Sequence, residues 1–195
     1  QRIAVLDRCK NMGSLGEPLY EDICTTMLKA DKKDIRIIGG RYGLSSKDTT
    51  PGQIAAVYEN LAADKPIEGF TIGINDDVTH KSLKVKPFSI IGDDFVSCKF
   101  WGLGGDGTVG ANKSTVDIIN NTTEKYGQAY FEYDAKKSLG TTKSHLRFSN
   151  TPIRSSYYVK EADFVACHNH HFINDFNVVD EIKPGGTLLL DCPWT

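Results

Sequence analysis

Apolar and polar positions alternate in a regular grammar along this chain. A short apolar run at 3–6 predicts a buried strand. Loop residues 11–16 follow, and then a helix over about 18–28 with Leu19, Ile23, Met27 and Leu28 at helical spacing. Residues 35–38 predict a second strand, closed by Gly39-Gly40. Thr50-Pro51 is a strong helix start, a capping hydroxyl followed by proline in the first turn. That helix runs to about Ala63 with Ile54, Val57 and Leu61 on one face, and residues 70–74 predict a third strand. A β-α-β-α-β order argues for a mostly parallel sheet covered by helices. The polar, Lys/Pro-containing segment 82–94 reads as a linker.

A second unit follows. Residues 95–103 predict a strand running into GLGGDGTVGANK (102–113), with a helix over about 109–120. Strands are expected at 128–133, 162–167 and 187–191, and a helix at 172–181. Residues 141–148 are expected as a strand on another face or at an edge. The fold class is therefore α/β, as two partial three-layer units with mostly parallel sheets. No internal repeat is present beyond the shared alternation.

Composition narrows the function classes. Lys plus Arg number 23 and Asp plus Glu 25 in 195 residues, a net charge of −2. This excludes a strongly basic nucleic-acid binder and an acidic tail. No apolar run approaches the ~20 residues of a spanning helix, so no membrane role is expected. Five scattered cysteines with no C-x-x-C predict a reducing, cytoplasm-like compartment and no zinc or iron–sulfur site of the usual spacing. The chain opens on Gln1 with a strand pattern by Ile3, and closes on GGTLLLDCPWT just after another strand. The expectation is a piece of a longer polypeptide cut inside folded regions.

The main chemical signal is G-x-G-x-x-G over Gly102, Gly104 and Gly107, placed between a strand and a helix. Glycines allow a tight turn and close approach, and the N–H groups at the helix start attract phosphate. Thr108 adds a cap and a hydroxyl. A nicotinamide site would want an acidic residue ~20 residues on. Asp134 matches loosely, and the adjacent Lys136-Lys137 suit a phosphorylated ribose better than free ribose hydroxyls. A tight turn with no ligand is the plainer alternative.

Weaker constellations have plainer readings. Asn75-Asp76-Asp77-Val78-Thr79-His80 has the composition of a metal or acid/base site, but also of a turn. Cys167-His168-Asn169-His170-His171 reads as a polar loop beside a buried thiol rather than a metal site. The loop 41–48 fits an anion or a neighbouring domain equally well. Ser144-His145 lacks a G-x-S-x-G elbow, so no hydrolase triad is supported. Trp101 and Trp194 are expected in a core or an interface.

Eight blocks occur in order: GEPLYED (16–22), GGRYGLSSKDTTP (39–51), GINDDVTH (73–80), FWGLGGDGTVGANK (100–113), YFEYDAKKS (130–138), SHLRFS (144–149), PIRSSY (152–157) and ACHN (166–169). Together they resemble the pyruvate:ferredoxin (flavodoxin) oxidoreductase family over essentially the whole chain. The resemblance implies that 1–87 is the C-terminal part of a domain similar to the transketolase C-terminal domain. It implies that 88–195 is the N-terminal part of a Rossmann-like, gamma-type domain. It also implies an enzyme that oxidatively decarboxylates pyruvate with coenzyme A to acetyl-CoA, passing electrons to ferredoxin or flavodoxin. Thiamine diphosphate with magnesium and the iron–sulfur clusters would be bound outside this stretch, and the stretch alone would be inactive. The parent would be a homodimer, cytoplasmic or, in an anaerobic protist, in a hydrogenosome-like organelle. Carried over by position, the coenzyme A contacts are Gly104, Gly105, Asp106, Gly107, Thr108 and Lys136. His170-His171 depart from the family pattern, where a proline is expected, and no chemistry is assigned to them. The competing reading is the nucleotide-binding module of a nicotinamide-dependent dehydrogenase.

Overall fold

The computed structural model describes all residues except 44–46, 136–138 and 195. The chain divides into two compact units, Gln1–Ile90 and Ile91–Thr195.

The first unit is a three-stranded, fully parallel sheet in the order β1 (Arg2–Asp7), β2 (Arg36–Tyr42), β3 (Phe70–Ile72). Helices α1 (Pro18–Lys29) and α2 (Pro51–Ala62) make the two crossovers. Thr50 and Gln53 form a reciprocal capping box at the start of α2, as the Thr-Pro pair predicts. Ile38, Val57, Phe70 and Ile72 form the core. The pair Gly39-Gly40 lets aromatic rings sit on both faces of β2. A Cβ on Gly39 would lie 2.9 Å from the Tyr20 ring of α1, and one on Gly40 would lie 2.4 Å from the Phe70 ring. Successive strand residues face opposite sides, so α1 lies on one face of the sheet and the Phe70 core on the other. The predicted linker lies in 82–94, and Lys86 pairs with Glu59 of α2 at 2.9 Å.

The second unit holds a five-stranded sheet in the order β5 (Tyr126–Tyr133), β6 (Thr141–Ser149), β4 (Val96–Leu103), β7 (Ala162–Cys167), β8 (Ile182–Leu190). Helix α3 (Thr108–Thr122) follows β4, and the short α4 (Phe172–Asp175) follows β7. The pairings β4–β7 and β7–β8 are parallel, whereas β4–β6 and β5–β6 are antiparallel. Over both sheets, four of the six pairings are parallel.

Two expectations need correction here. Residues 141–148 are neither at an edge nor on another face, because β6 sits inside the sheet between β5 and β4. Its polar sequence misleads because the buried side chains are themselves polar: Ser144, His145 and Arg147 are all buried. The helix expected over 172–181 lasts only from Phe172 to Asp175. The next residues turn, with Val178 N–H bonded to the Phe176 carbonyl and Ile182 N–H to that of Val179.

The two faces of this sheet differ in kind. On the α3 side, Cys98, Val116 and Leu146 form an apolar cluster with Phe100, Ala129, Phe148 and Phe164 around it. On the opposite side, Trp101 lies between the ammonium groups of Lys99 and Lys143, 4.9 and 4.8 Å from its ring centre. Lys99 is buried and paired with Glu181. Arg147 donates to the carbonyls of Tyr157 (2.6 Å) and Tyr158 (3.0 Å), tying down the following segment. The Val159 N–H donates to His145 Nδ1 at 3.2 Å, so Nε2 carries the proton and donates to Glu132 at 2.9 Å.

Candidate functional site

Strand β4 is the topological switch point of the second sheet. From β4 the chain passes through α3 to strands on one side, and β7 and β8 lie on the other. In open α/β sheets, ligands bind in the crevice outside the carboxyl ends of the strands at such a point. Two loops meet there, because Trp101 and Cys167 are register partners near the ends of β4 and β7. One is the glycine-rich loop after β4. The other begins at His168, whose N–H continues the ladder to the Trp101 carbonyl at 2.9 Å.

The loop is built by local hydrogen bonds. The Asp106 N–H donates to the Leu103 carbonyl at 2.9 Å, closing a turn. The Gly104 N–H donates to the Gly140 carbonyl at 2.8 Å. Asp106 Oδ2 accepts the Leu103 N–H (2.7 Å) and Oδ1 the Thr108 N–H (2.8 Å). Burial works to raise the Asp106 pKa, but the bonds from Thr108 and Leu103 outweigh it, and the carboxyl sits below the usual range. Gly107 caps α3 with φ +91°, a left-handed conformation that favours glycine. Gly102 permits close packing: a Cβ there would meet Thr108 Oγ1 at 2.6 Å. A Cβ on Gly105 or Gly107 would meet nothing within 4 Å, so space stands open beside both.

Thr108 is only 4 % exposed, and its hydroxyl lies 2.8 Å from His168 Nδ1. Thr108, Asn112 and Val116 form the buried stripe of α3. Asn112 is also 4 % exposed, and its Nδ2 has no hydrogen-bond partner among the described residues. Gly104, Gly105, Asp106, Gly107 and Thr108, expected from the sequence to meet a phosphate, are contiguous in the loop and helix start. Lys136 lies outside the described residues. The sequence places His168 only in a polar loop, whereas it stands at a strand end directly opposite the glycine-rich loop. The parallel pairing that brings it there is not visible in local sequence.

Other sequence features settle into structural roles. Asp76 accepts from the N–H groups of Val78 (3.2 Å), Thr79 (2.9 Å) and Lys81 (3.1 Å), a turn held by its own carboxylate. Hydrogen bonds to Thr79 and its neighbours hold that carboxyl far below its ordinary range. The buried Cys167 thiol donates to the Asn169 carbonyl at 3.2 Å. Among the described residues, no group of three or more His, Cys, Asp or Glu is placed to hold a metal. Trp101 is buried, but Trp194 is 50 % exposed and meets the edge of His170. A cleft of about 320 Å³ lies in the first unit beside Tyr20, Gly39 and Arg41. Of its two carboxylates, Glu17 and Glu68, Glu17 already accepts the Asn11 N–H at 2.5 Å and faces Arg41 Nε at 3.6 Å and Lys10 Nζ at 3.5 Å. No helix among the described residues is long and apolar enough to cross a membrane.

Comparison with known proteins bears on the whole chain. It is 52 % identical over 196 aligned positions to the pyruvate:ferredoxin oxidoreductase of Moorella thermoacetica, covering 100 % of this chain and 17 % of that protein. It is 51 % identical to the pyruvate-flavodoxin oxidoreductase of Enterobacter agglomerans, covering 98 % and 16 %. It is 47 % identical to the pyruvate dehydrogenase [NADP(+)] of Cryptosporidium parvum, covering 100 % and 10 %. The chain thus spans about a sixth or less of the length of these relatives. Among solved structures it is similar to the pyruvate oxidoreductase subunit PORC of Thermotoga maritima, with 18 % identity, a TM-score of 0.44 and 52 % of each chain covered. The family model for pyruvate ferredoxin/flavodoxin oxidoreductase matches residues 97–195, which include the glycine-rich loop, α3 and His168. With half of the chain matched by that model, this chain belongs to the pyruvate ferredoxin/flavodoxin oxidoreductase family.

Proposed function

We propose that this chain is a stretch of a pyruvate:ferredoxin or flavodoxin oxidoreductase and supplies part of its coenzyme A site. Pyruvate and the coenzyme thiol give acetyl-CoA, CO2, one proton and two electrons, and the electrons pass to the acceptor. Thiamine diphosphate with magnesium and the iron–sulfur clusters belong to parts of the enzyme outside this stretch. Residues 1–87 are assigned to the end of a transketolase C-terminal-like domain and 88–195 to the start of the gamma-type domain. A homodimeric parent follows from the same family resemblance.

The observation that carries the coenzyme A reading is the loop at the switch point. Its open side carries N–H donors at a helix start, where phosphate is favoured. Coenzyme A brings a pyrophosphate and a 3′-phosphate, and Lys136 would add a cation. The role is binding and orientation of the thiol, since holding two reactants together can lower a barrier by ~7–11 kcal/mol in the best cases.

One observation weighs against a nicotinamide site. Asp134, the acidic residue such a site needs, follows β5, which is separated from β4 by the antiparallel β6. Two strand spacings place it roughly 10 Å sideways of the loop strand, rather than one spacing away. The acceptor is not encoded in this stretch either. Relatives named for ferredoxin, flavodoxin and NADP match it at 52, 51 and 47 % identity.

The test is anaerobic and uses the full-length enzyme. Viologen dye reduction is expected to require both pyruvate and coenzyme A. Lys136→Ala is expected to raise KM for coenzyme A with kcat little changed. An unchanged KM removes Lys136 from the site. No dye reduction, with NADH formed from another substrate, returns the loop to a nicotinamide.

A further inference from the structure

A hydroxyl group has one proton to give. Thr108 Oγ1 stands 2.8 Å from His168 Nδ1, so one of the two donates to the other. If Nδ1 is bare, Thr108 spends its proton on the ring and shows only lone pairs to the loop. If Nδ1 carries the proton, the ring donates to Thr108, and the hydroxyl proton is released toward an acceptor beside the helix start, where a bound anion competes for it with the Asp106 carboxylate. An anionic oxygen bound there is repelled by the first arrangement and bonded by the second.

We propose that His168 is a positioning residue of the loop site, holding Thr108 as a hydrogen-bond donor to a phosphate oxygen of coenzyme A. This rests on the coenzyme A reading above and adds to it a residue from a different strand.

Several features make His168 suited to this role. It comes from the end of β7, the parallel neighbour of β4, so the sheet itself fixes the spacing between ring and loop. Its N–H is bonded to the Trp101 carbonyl, which anchors the backbone. Its ring meets Phe100 of β4 edge-on, 6.3 Å between centres, which limits its rotation. The Asp106 carboxylate is in electrostatic reach of the ring. Thr108 is held from the other side by close packing over Gly102. The pair is thus built from three segments, β4, α3 and the end of β7, and is half-buried at the switch point. His170 instead lies against the tilted ring of His171 and meets Trp194 edge-on.

The proposal is tested by equilibrium binding of coenzyme A to the full-length enzyme, measured by calorimetry without pyruvate. His168→Leu and Thr108→Val are each expected to weaken binding about tenfold, the worth of one hydrogen bond to a charged group. The double variant is expected to bind no more weakly than either single one, because His168 acts through Thr108. His168→Asn, whose amide can donate from the same place, is expected to stay within about threefold of the parent protein. In turnover, His168→Leu is expected to raise KM for coenzyme A with kcat for the dye assay nearly unchanged at saturation. If Thr108→Val weakens binding and His168→Leu does not, the positioning role is wrong while the loop site stands. Additive losses in the double variant, or equal losses in His168→Leu and His168→Asn, also overturn it. If the unaltered enzyme binds no coenzyme A, the loop reading itself fails, and this proposal falls with it.

Discussion

The two units each contain a strand-to-helix junction in which a carboxylate meets a helix start, and only one of them is left open. In the first unit, Asp7 at the end of β1 accepts the N–H groups of Leu19 (2.9 Å) and Tyr20 (3.1 Å). Asp7 is 6 % exposed, so the positive end of α1 is filled by the protein's own charge. In the second unit, Asp106 is exposed and accepts the Leu103 and Thr108 N–H groups, with the Thr108 side chain also in hydrogen-bond reach. The left-handed turn at Gly107 then leaves open space beside the start of α3. The same β-α grammar thus yields a sealed junction that stabilises the fold and an unsealed one, for which we propose an anion. The placement of the carboxylate decides which: ahead of its helix at the end of a strand, or inside a glycine turn.

The sharpest way to break this contrast is to close the second junction from beneath. Gly102→Ala would put a Cβ 2.6 Å from Thr108 Oγ1 and 2.7 Å from its Cβ. The start of α3 must then move, at a cost of about 1–3 kcal/mol for overpacking. Coenzyme A binding is expected to fall by more than tenfold, measured on the full-length enzyme. Gly110→Ala is the matched control, since its Cβ meets nothing within 4 Å. It is expected to leave binding intact and to stabilise α3 by up to about 1 kcal/mol. Equal damage from both substitutions would mean that the loop is sensitive to any added side chain.

Next in size is the sealed junction. Asp7→Ala removes both acceptors and leaves two N–H groups of α1 without their partner. A loss of about 1–2 kcal/mol is expected, the usual worth of a lost cap. Hydrogen exchange in the full-length enzyme is expected to speed up over residues 18–22 and to stay unchanged over 108–112. Coenzyme A binding is expected to be unaffected. A loss of binding would show that the two units do not divide the work in this way.

Much of this was legible in the residues, and the exceptions have physical causes. The apolar runs and Thr-Pro or Gly punctuation located the elements of the first unit, because β-α alternation with local caps is written in contiguous residues. The loop 102–108 was legible for the same reason. Strand β6 was misplaced because its burial is polar: His145 and Arg147 are satisfied by Glu132 and by carbonyls from 155–158, which no hydrophobic pattern records. The helix at 172–181 was overextended because Phe172, Phe176 and Val178 are apolar at near-helical spacing, yet Phe176 leaves the helix with φ −134°. His168 reads in the sequence only as part of a polar loop because its partner, Thr108, is 60 residues away and is reached through the β4–β7 pairing.

The smallest effect asks whether Asp106 serves the site by its shape or opposes it by its charge. Its carboxylate closes the turn through two N–H groups, yet it also places a negative charge beside the space proposed for a phosphate. Asp106→Asn keeps one acceptor and removes the charge. A charge at a helix start is worth about 0.3–1 kcal/mol at low ionic strength. Coenzyme A is therefore expected to bind roughly two- to fivefold more tightly to Asp106→Asn in dilute buffer, with the gain shrinking as salt is added. Acid supplies an independent check. The folded carboxyl titrates below its unfolded range, so its two bonds are at full strength above the ordinary Asp pKa and fade only as pH falls through the depressed value. The loop of the unaltered protein should hence keep its turn at pH 5, and hydrogen exchange at Leu103 and Thr108 should stay slow there. Weaker binding by Asp106→Asn at every salt concentration would assign the carboxylate to shaping the turn, with its charge of little consequence for the anion.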